Sequence, residues 1–259
     1  MNPDRIEYSQ TGRVAVIAMR RAPVNAVDFD MIDALHAAFR KADADRSVGA
    51  IVLTSALPGM FCGGMDLKMV RGASGILFRN FLDRFYMDTL DLQHGLSKPT
   101  IAAVNGAARG AGMTLSITCD MVVAAEDASL GYPEINVGVL PAIHFVHLPR
   151  QAGRHHAFEH LFIGDPFTPA QGREMGLINH VVPADSLMDK ALELGERLAA
   201  KSPSTMAIGR RAFLRANDTD YRRGVANQIE MMAALIETHD GQEGLNAFVE
   251  KRDPVWRGE

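Results

Sequence analysis

Apolar residues recur along this chain in two rhythms. Val14-Ala15-Val16-Ile17-Ala18-Met19 is a short unbroken run, and Ala50-Ile51-Val52-Leu53-Thr54, Thr100-Ile101-Ala102-Ala103-Val104 and Met121-Val122-Val123-Ala124 repeat its form. Short runs of this kind, bounded by polar or glycine-containing stretches, predict buried strands. Between them the spacing widens to that of a helix. Met31, Leu35 and Phe39 form one stripe over 28–42, and Leu77, Phe81, Phe85 and Leu92 form another over 74–96. Both predict helices packed on a core, and 110–118 is a further expected helix. Strands that alternate with helices imply crossover connections and a largely parallel sheet. After about residue 185 the pattern is helical only, with helices expected over 186–200, 202–216, 220–238 and 241–251. Ser202-Pro203 and Asp240-Gly241 punctuate them.

Composition narrows the functional classes. The 259 residues are 47% hydrophobic, enough to bury a real core, and the net charge of −4 includes no long run of one sign. A dedicated nucleic-acid surface, with its clustered cations, is not expected. The opening Met1-Asn2-Pro3-Asp4-Arg5 is polar, and no apolar run is long enough to span a bilayer. The expectation is a cytoplasmic protein with no membrane partner. Cys62 and Cys119 suggest no disulfide framework and read as buried small hydrophobes.

Two glycine-rich turns carry the candidate chemistry. The first reads Phe61-Cys62-Gly63-Gly64-Met65-Asp66-Leu67; the second ends Asn105-Gly106-Ala107-Ala108-Arg109-Gly110-Ala111-Gly112. Each follows a strand-like run and precedes a helix-like one. Small residues at such junctions leave backbone N–H groups uncovered and let a ligand approach the main chain. Two N–H groups converging on one oxygen would form an oxyanion hole, which stabilises charge developing on a carbonyl.

These two turns, the Lys98-Pro99 pair before the second, Cys119-Asp120, Pro133-Glu134 and Ala247-Phe248-Val249-Glu250-Lys251-Arg252 occur in an order that resembles the crotonase family, also called the enoyl-CoA hydratase/isomerase family. The resemblance runs from about Val14 to Trp256. It implies an α/β spiral of ββα repeats over 1–185, holding an acyl-CoA site, and a helical C-terminal oligomerisation region over 186–259. It further implies a homotrimer or a dimer of trimers. The two oxyanion amides fall on Met65 and Ala111, and the acid/base on Glu134. Contacts to coenzyme A fall on Val24, Ala26, Cys62, Gly64, Asp66, Leu67 and Gly110, with Phe248 and Lys251 near the nucleotide. The 69–90 region supplies acyl-pocket candidates Met69, Leu77, Phe78, Phe81 and Phe85. No metal or separate cofactor is implied, because coenzyme A is part of the substrate.

Three departures from the family pattern bear on the reaction. Hydratases of the family generally carry a second glutamate where this chain has Thr114, which cannot act as a general acid or base near neutral pH. Ala111 replaces the more usual glycine but keeps its N–H. His144 and Phe145 replace two glycines, which removes open space near the reacting end and adds an imidazole that, titrating near neutrality, is a candidate replacement acid/base or else packs as a neutral core residue. One carboxylate can shuttle a proton between two carbons, so a double-bond shift from 3-enoyl to 2-enoyl is favoured over hydration of a 2-enoyl-CoA. A carbon–carbon lyase and a catalytically silent CoA-binding protein are the alternatives. A serine protease on the related spiral would need Ser116, which lies inside an expected helix with no sign of a triad.

Overall fold

The strands appear in the order β1 (Ile6–Thr11), β2 (Val14–Met19), β3 (Ala50–Ser55), β4 (Gly59–Cys62), β5 (Thr100–Val104), β6 (Gly106–Arg109), β7 (Met121–Ala125), β8 (Leu130–Gly131) and β9 (His180–Val182). They form two sheets in a computed structural model that describes residues 4–66, 69, 80–137, 141, 144–218, 239–240, 243, 250 and 252–259. The larger sheet has the order β1-β2-β3-β5-β7-β9 and the smaller β4-β6-β8. Only β1 and β2 are antiparallel; the other pairings are parallel.

The interleaved numbering shows the repeat. After β3, β5 and β7 the chain crosses to the smaller sheet and adds β4, β6 and β8 in turn. Each turn of this spiral lays one strand on each sheet. The result is an α/β spiral, with a mixed larger sheet because of its antiparallel edge pair. The central strands are apolar on both faces because both are covered; every residue of β3 and β5 is buried.

Helices follow the expected stripes. α1 (Phe29–Ala44) starts where the Asp28 carboxylate accepts the Met31 N–H at 2.8 Å, and it buries Met31, Leu35 and Phe39. A π-helical turn (Asp83–Met87) leads into α2 (Asp88–Gly95), and α3 (Ala111–Ile117) follows β6 directly. α4 (His144–Ala152), α5 (Arg154–Ile163) and α6 (Pro169–Glu174) connect β8 to β9. α7 (Leu187–Ala199) lies across β2, β3, β5 and β7 and buries Leu187, Ala191 and Leu194 against them. α8 (Pro203–Asp218) follows. The helices expected over 220–238 and 241–251 lie outside the described residues, apart from 239–240, 243 and 250. Among the described residues no helix is long and apolar enough to cross a membrane.

An ion pair with a buried guanidinium and a partly exposed carboxylate ties α8 to the rest. Arg210 donates to the Asp120 carboxylate at 2.7 Å and to the carbonyls of Gln93 and Leu96 at 2.6 and 2.9 Å. The same Asp120 oxygen accepts from the N–H and hydroxyl of Thr100 at 2.7 and 3.0 Å. The Cys119-Asp120 pair thus has a structural role: it fastens the start of β5, the end of α2 and α8 at one carboxylate. Removing the guanidinium leaves the carbonyls of Gln93 and Leu96 without this donor and the carboxylate without its countercharge. Arg210→Met is expected to cost about 3 kcal/mol, measured as a lowered urea midpoint with an unchanged m-value.

Candidate active site

The first glycine turn is built against the segment 24–27. Gly63 N–H donates to Val24 O at 2.7 Å, Val27 N–H to Gly64 O at 2.8 Å and Asp66 N–H to Val27 O at 2.9 Å. Val27 therefore sits opposite Met65 in a short parallel ladder. Gly64 and Asp66 both bond towards Val27, so the intervening Met65 turns its amide to the opposite edge. Among the described residues no backbone carbonyl accepts that amide.

Asn25 pins this ladder, a role its sequence position did not advertise. It is fully buried at φ 51°, a left-handed conformation that Asn tolerates. Its Oδ1 accepts from Arg21 N–H at 2.7 Å, and its Nδ2 donates to Ser55 Oγ and Phe61 O at 2.7 and 3.0 Å. The Arg21 guanidinium donates to Ala26 O at 2.7 Å and to the Asp66 carboxylate at 2.6 Å. Val24, Ala26, Cys62, Gly64 and Asp66 are thereby gathered in one place. Leu67, Phe248 and Lys251 lie outside the described residues.

The second turn sits directly on the first. A Cβ on Gly112 would lie 2.4 Å from the Cys62 carbonyl oxygen, and one on Gly64 would lie 3.3 Å from the Arg109 carbonyl oxygen. A side chain at Gly112 would force the two backbones apart, and one at Gly64 (φ 107°) would be tight and strained. Gly110 adopts φ 47° and gives α3 no side-chain cap. Ala111, the first residue of α3, has an amide without an intrahelical acceptor. A Cβ on Gly110 would also lie 2.8 Å from Glu134 Oε1. The second turn is therefore sandwiched between the first turn and the Glu134 carboxylate.

Glu134 lies on a 3-10 turn (Pro133–Val137). Its Oε2 is buried and has no hydrogen-bond partner among the described residues. Burial raises its pKa above the ordinary 4.5, because a desolvated carboxylate favours its neutral form. Tyr132, fully buried, and Tyr86, mostly buried, both face this carboxylate, and Tyr86 also faces the Thr114 hydroxyl.

His144 is found beside Thr114, with Nε2 3.1 Å from Thr114 Oγ1 and its ring centroid 4.5 Å from that of Tyr132. It is 0% exposed, and burial pushes its pKa down to about 3. The ring is neutral at pH 7, so the near-neutral titration expected from its residue type is not what this environment gives. Phe145 also departs from expectation. It is partly exposed and stacks on Phe162 at 5.5 Å, so it does not fill the reacting end.

Phe81 and Phe85, expected in the acyl pocket, are each 1% exposed and stack on one another in the core, with Phe81 edge-on to Phe29. Met69 is half-buried against the same core, while Leu77 and Phe78 lie outside the described residues. Ser116 is buried and donates to Met113 O at 2.9 Å within α3, as a helix residue rather than a nucleophile. Cys62 and Cys119 are buried free thiols whose pKa values burial pushes up to about 12. They are small protonated hydrophobes at neutral pH.

The buried imidazole has a consequence for stability. Its folded pKa of about 3 lies below the ordinary 6.5, so the unfolded chain binds the extra proton first as pH falls. Its contribution to stability is fully present above pH 6.5 and is lost as pH falls towards about 3. In His144→Phe, the slope of unfolding free energy against pH across that window is expected to drop by nearly one proton. Urea titrations at a series of pH values measure it.

With this geometry in view, comparison with known proteins is informative. The family model described as Enoyl-CoA hydratase/isomerase matches residues 9–259. The "Probable enoyl-CoA hydratase, mitochondrial" of Dictyostelium discoideum is 32% identical over 250 residues, covering 95% of this chain and 88% of that protein. The 2,3-dehydroadipyl-CoA hydratase of Escherichia coli is 33% identical over 242 residues, covering 93% and 92%. The crystal structure of enoyl-CoA hydratase from Bacillus anthracis superposes with a TM-score of 0.91 at 31% identity, covering 98% of this chain and 100% of that one. The chain belongs to the enoyl-CoA hydratase/isomerase family, a family of acyl-CoA enzymes.

Proposed function

We propose that this enzyme forms a thioester enolate at the two apposed turns and uses Glu134 as its single proton-transfer group. The observation that carries this reading is how near the Glu134 carboxylate lies to Gly110, where an added Cβ would come within 2.8 Å of Oε1. It puts a desolvated carboxylate, with Oε2 unpartnered among the described residues, beside the turn that carries the Ala111 amide. The amides of Met65 and Ala111 serve as donors to the thioester oxygen. Each such donor typically contributes about 3–4 kcal/mol to transition-state stabilisation. Backbone groups of Val24, Ala26, Cys62, Gly64 and Asp66 line the approach of the coenzyme A moiety. Coenzyme A is part of the substrate, and the reaction draws on no further cofactor. The assembly that fits this reading is a homotrimer or a dimer of trimers, in the cytoplasm.

The favoured reaction is a 3-enoyl to 2-enoyl double-bond shift. Glu134 takes the proton from C2 as the electron pair moves onto the thioester oxygen, and then returns a proton to C4. One carboxylate suffices for this sequence. The raised proton affinity of Glu134 suits both halves, since the group must accept a proton and give it back. Thr114, fully buried beside a neutral His144, supplies no second acid.

A matched pair, 2-hexenoyl-CoA and 3-hexenoyl-CoA, tests the reading by mass and by absorbance of the conjugated thioester. Conjugation of the 3-enoyl substrate without mass change is expected; a gain of one water as the dominant reaction contradicts it, and no reaction with either points to a silent CoA-binding protein. Glu134→Gln is expected to lose at least about 100-fold in kcat. In the unsubstituted enzyme the acid limb of kcat/KM should lie above pH 4.5, because the base must be ionised and its pKa is raised. Ala111→Pro replaces the amide proton with a ring methylene at a helix position that accepts proline. It is expected to lower kcat about 100-fold or more with the fold retained, checked by far-UV circular dichroism.

A further inference from the structure

A cavity of about 280 Å³ lies away from the two glycine turns. None of the residues lining it belongs to either turn or to the segment 24–27. Gly49 and Lys98 line it just before β3 and β5 begin, which puts it at the N-terminal ends of those strands. Further walls come from the end of α7, the start of α8 and the segment 257–259.

The charge of this cavity is one-sided. Arg13, Arg46, Lys98, Lys201 and Arg257 line it, against the carboxylates of Asp43 and Glu259. Asp43 is already engaged, because its Oδ1 accepts the N–H and hydroxyl of Ser97 at 2.8 and 2.7 Å. Two of the cations are fixed by backbone carbonyls. Arg13 donates to Ala199 O at 2.6 Å at the end of α7. Lys98 donates to Ala42 O at 2.5 Å and to Asp45 O, at the end of α1. Carbonyls at a helix end carry only partial charge, so they orient a cation without neutralising it. Burial lowers the Lys98 pKa; Asp43 and Asp45 oppose this, and repulsion from Arg13 adds to it. Arg46, Lys201 and Arg257 have no ion-pair partner among the described residues.

The 257–259 wall is held in place by Asp240. Its buried carboxylate accepts the Arg257 and Gly258 N–H groups at 2.8 and 2.9 Å and the Ser202 hydroxyl at 2.7 Å. Val48, Leu198 and Met206 give the cavity an apolar side. A fixed positive field, three cations short of countercharge and an apolar side suit an anion that carries a carbon group.

We propose that this cavity binds a small organic phosphate, separately from the acyl-CoA site. Arg46, Lys201 and Arg257 pair with the phosphate oxygens, in the positive field of Arg13 and Lys98. Val48, Leu198 and Met206 cover the carbon group. A phosphate dianion matches the surplus of positive charge better than a carboxylate does, and an arginine fork can bond two of its oxygens. Bare phosphate would leave the apolar side uncovered. Because the cavity shares no residue with the apposed turns, the inference stands or falls apart from the proposed reaction.

Calorimetric titration with phenyl phosphate at constant ionic strength, with and without saturating butanoyl-CoA, tests the site. One phenyl phosphate per chain is expected to bind, about tenfold more tightly than inorganic phosphate, and butanoyl-CoA should leave its affinity unchanged. Arg46→Gln, Lys201→Gln and Arg257→Gln should each weaken it about fivefold. All three side chains are on exposed residues, so the unfolding midpoint without ligand should not move. Arg173→Gln, which removes an exposed cation of α6 outside the cavity, should leave the affinity intact. Met206→Ala should weaken phenyl phosphate and spare inorganic phosphate. Absence of saturable binding overturns the inference, as does displacement by butanoyl-CoA, which would put the ligand in the catalytic site. An equal loss in Arg173→Gln and Arg46→Gln would mean general surface attraction, and equal affinity for inorganic phosphate would mean a bare-anion site; either result contradicts it.

Discussion

The close approach of two backbone turns, with the Glu134 carboxylate against the second, is the constraint on which the site depends. Cys62, Gly112 and Gly110 are stacked so tightly that side chains at the two glycines would overlap the Cys62 carbonyl on one side and the Glu134 carboxylate on the other. The spiral creates this meeting. β4 and β6 run side by side in the smaller sheet, and their register shifts between Met60 and Cys62, which re-aims the chain at the end of the pair. The turns that follow emerge next to each other because their strands are neighbours. Asn25 and the Arg21–Asp66 pair hold the outer side of the first turn, so the Met65 amide keeps its direction.

Around that backbone frame, the side chains set what chemistry is available. A carboxylate in a dry site prefers to be neutral, an imidazole in a dry site prefers to be neutral, and phenols keep their protons; all three tendencies are seen here. In the cluster the Glu134 carboxylate, whose pKa burial raises, is surrounded by uncharged hydrogen-bonding groups. A second carboxylate in place of Thr114 would put two like charges in the same desolvated space. Thr114 with His144 keeps that space polar without adding charge.

Much of the fold was legible in the chain. β2 and β5 begin and end where the apolar runs do, and α1 carries its stripe of Met31, Leu35 and Phe39 into the core. The smaller sheet was not legible, because β4, β6 and β8 are only two to four residues long, too short for an alternation to be detected. β1 was missed because it is a polar edge strand, and β9 because its three residues are each only partly buried. Family wording located Met65, Ala111 and Glu134, which the fold brings to the apposed turns. It gave no hint of Tyr86, since a helical stripe through Phe81 and Phe85 leaves out the π-helical turn. The misjudged chemistry of His144 has a similar origin. Residue type gives a titration near 6.5, and only burial against Tyr132 and Thr114 moves it.

The central claim is that this site acidifies the α-carbon of a bound thioester. The most direct measurement is solvent deuterium exchange into C2 of saturated butanoyl-CoA, which has no double bond to shift or hydrate. Enolate formation at the apposed turns should introduce deuterium at C2, seen by mass and by loss of the C2 proton signal, and Glu134→Gln should stop it. Butanoyl-CoA that binds but shows no exchange above the uncatalysed rate would contradict the claim.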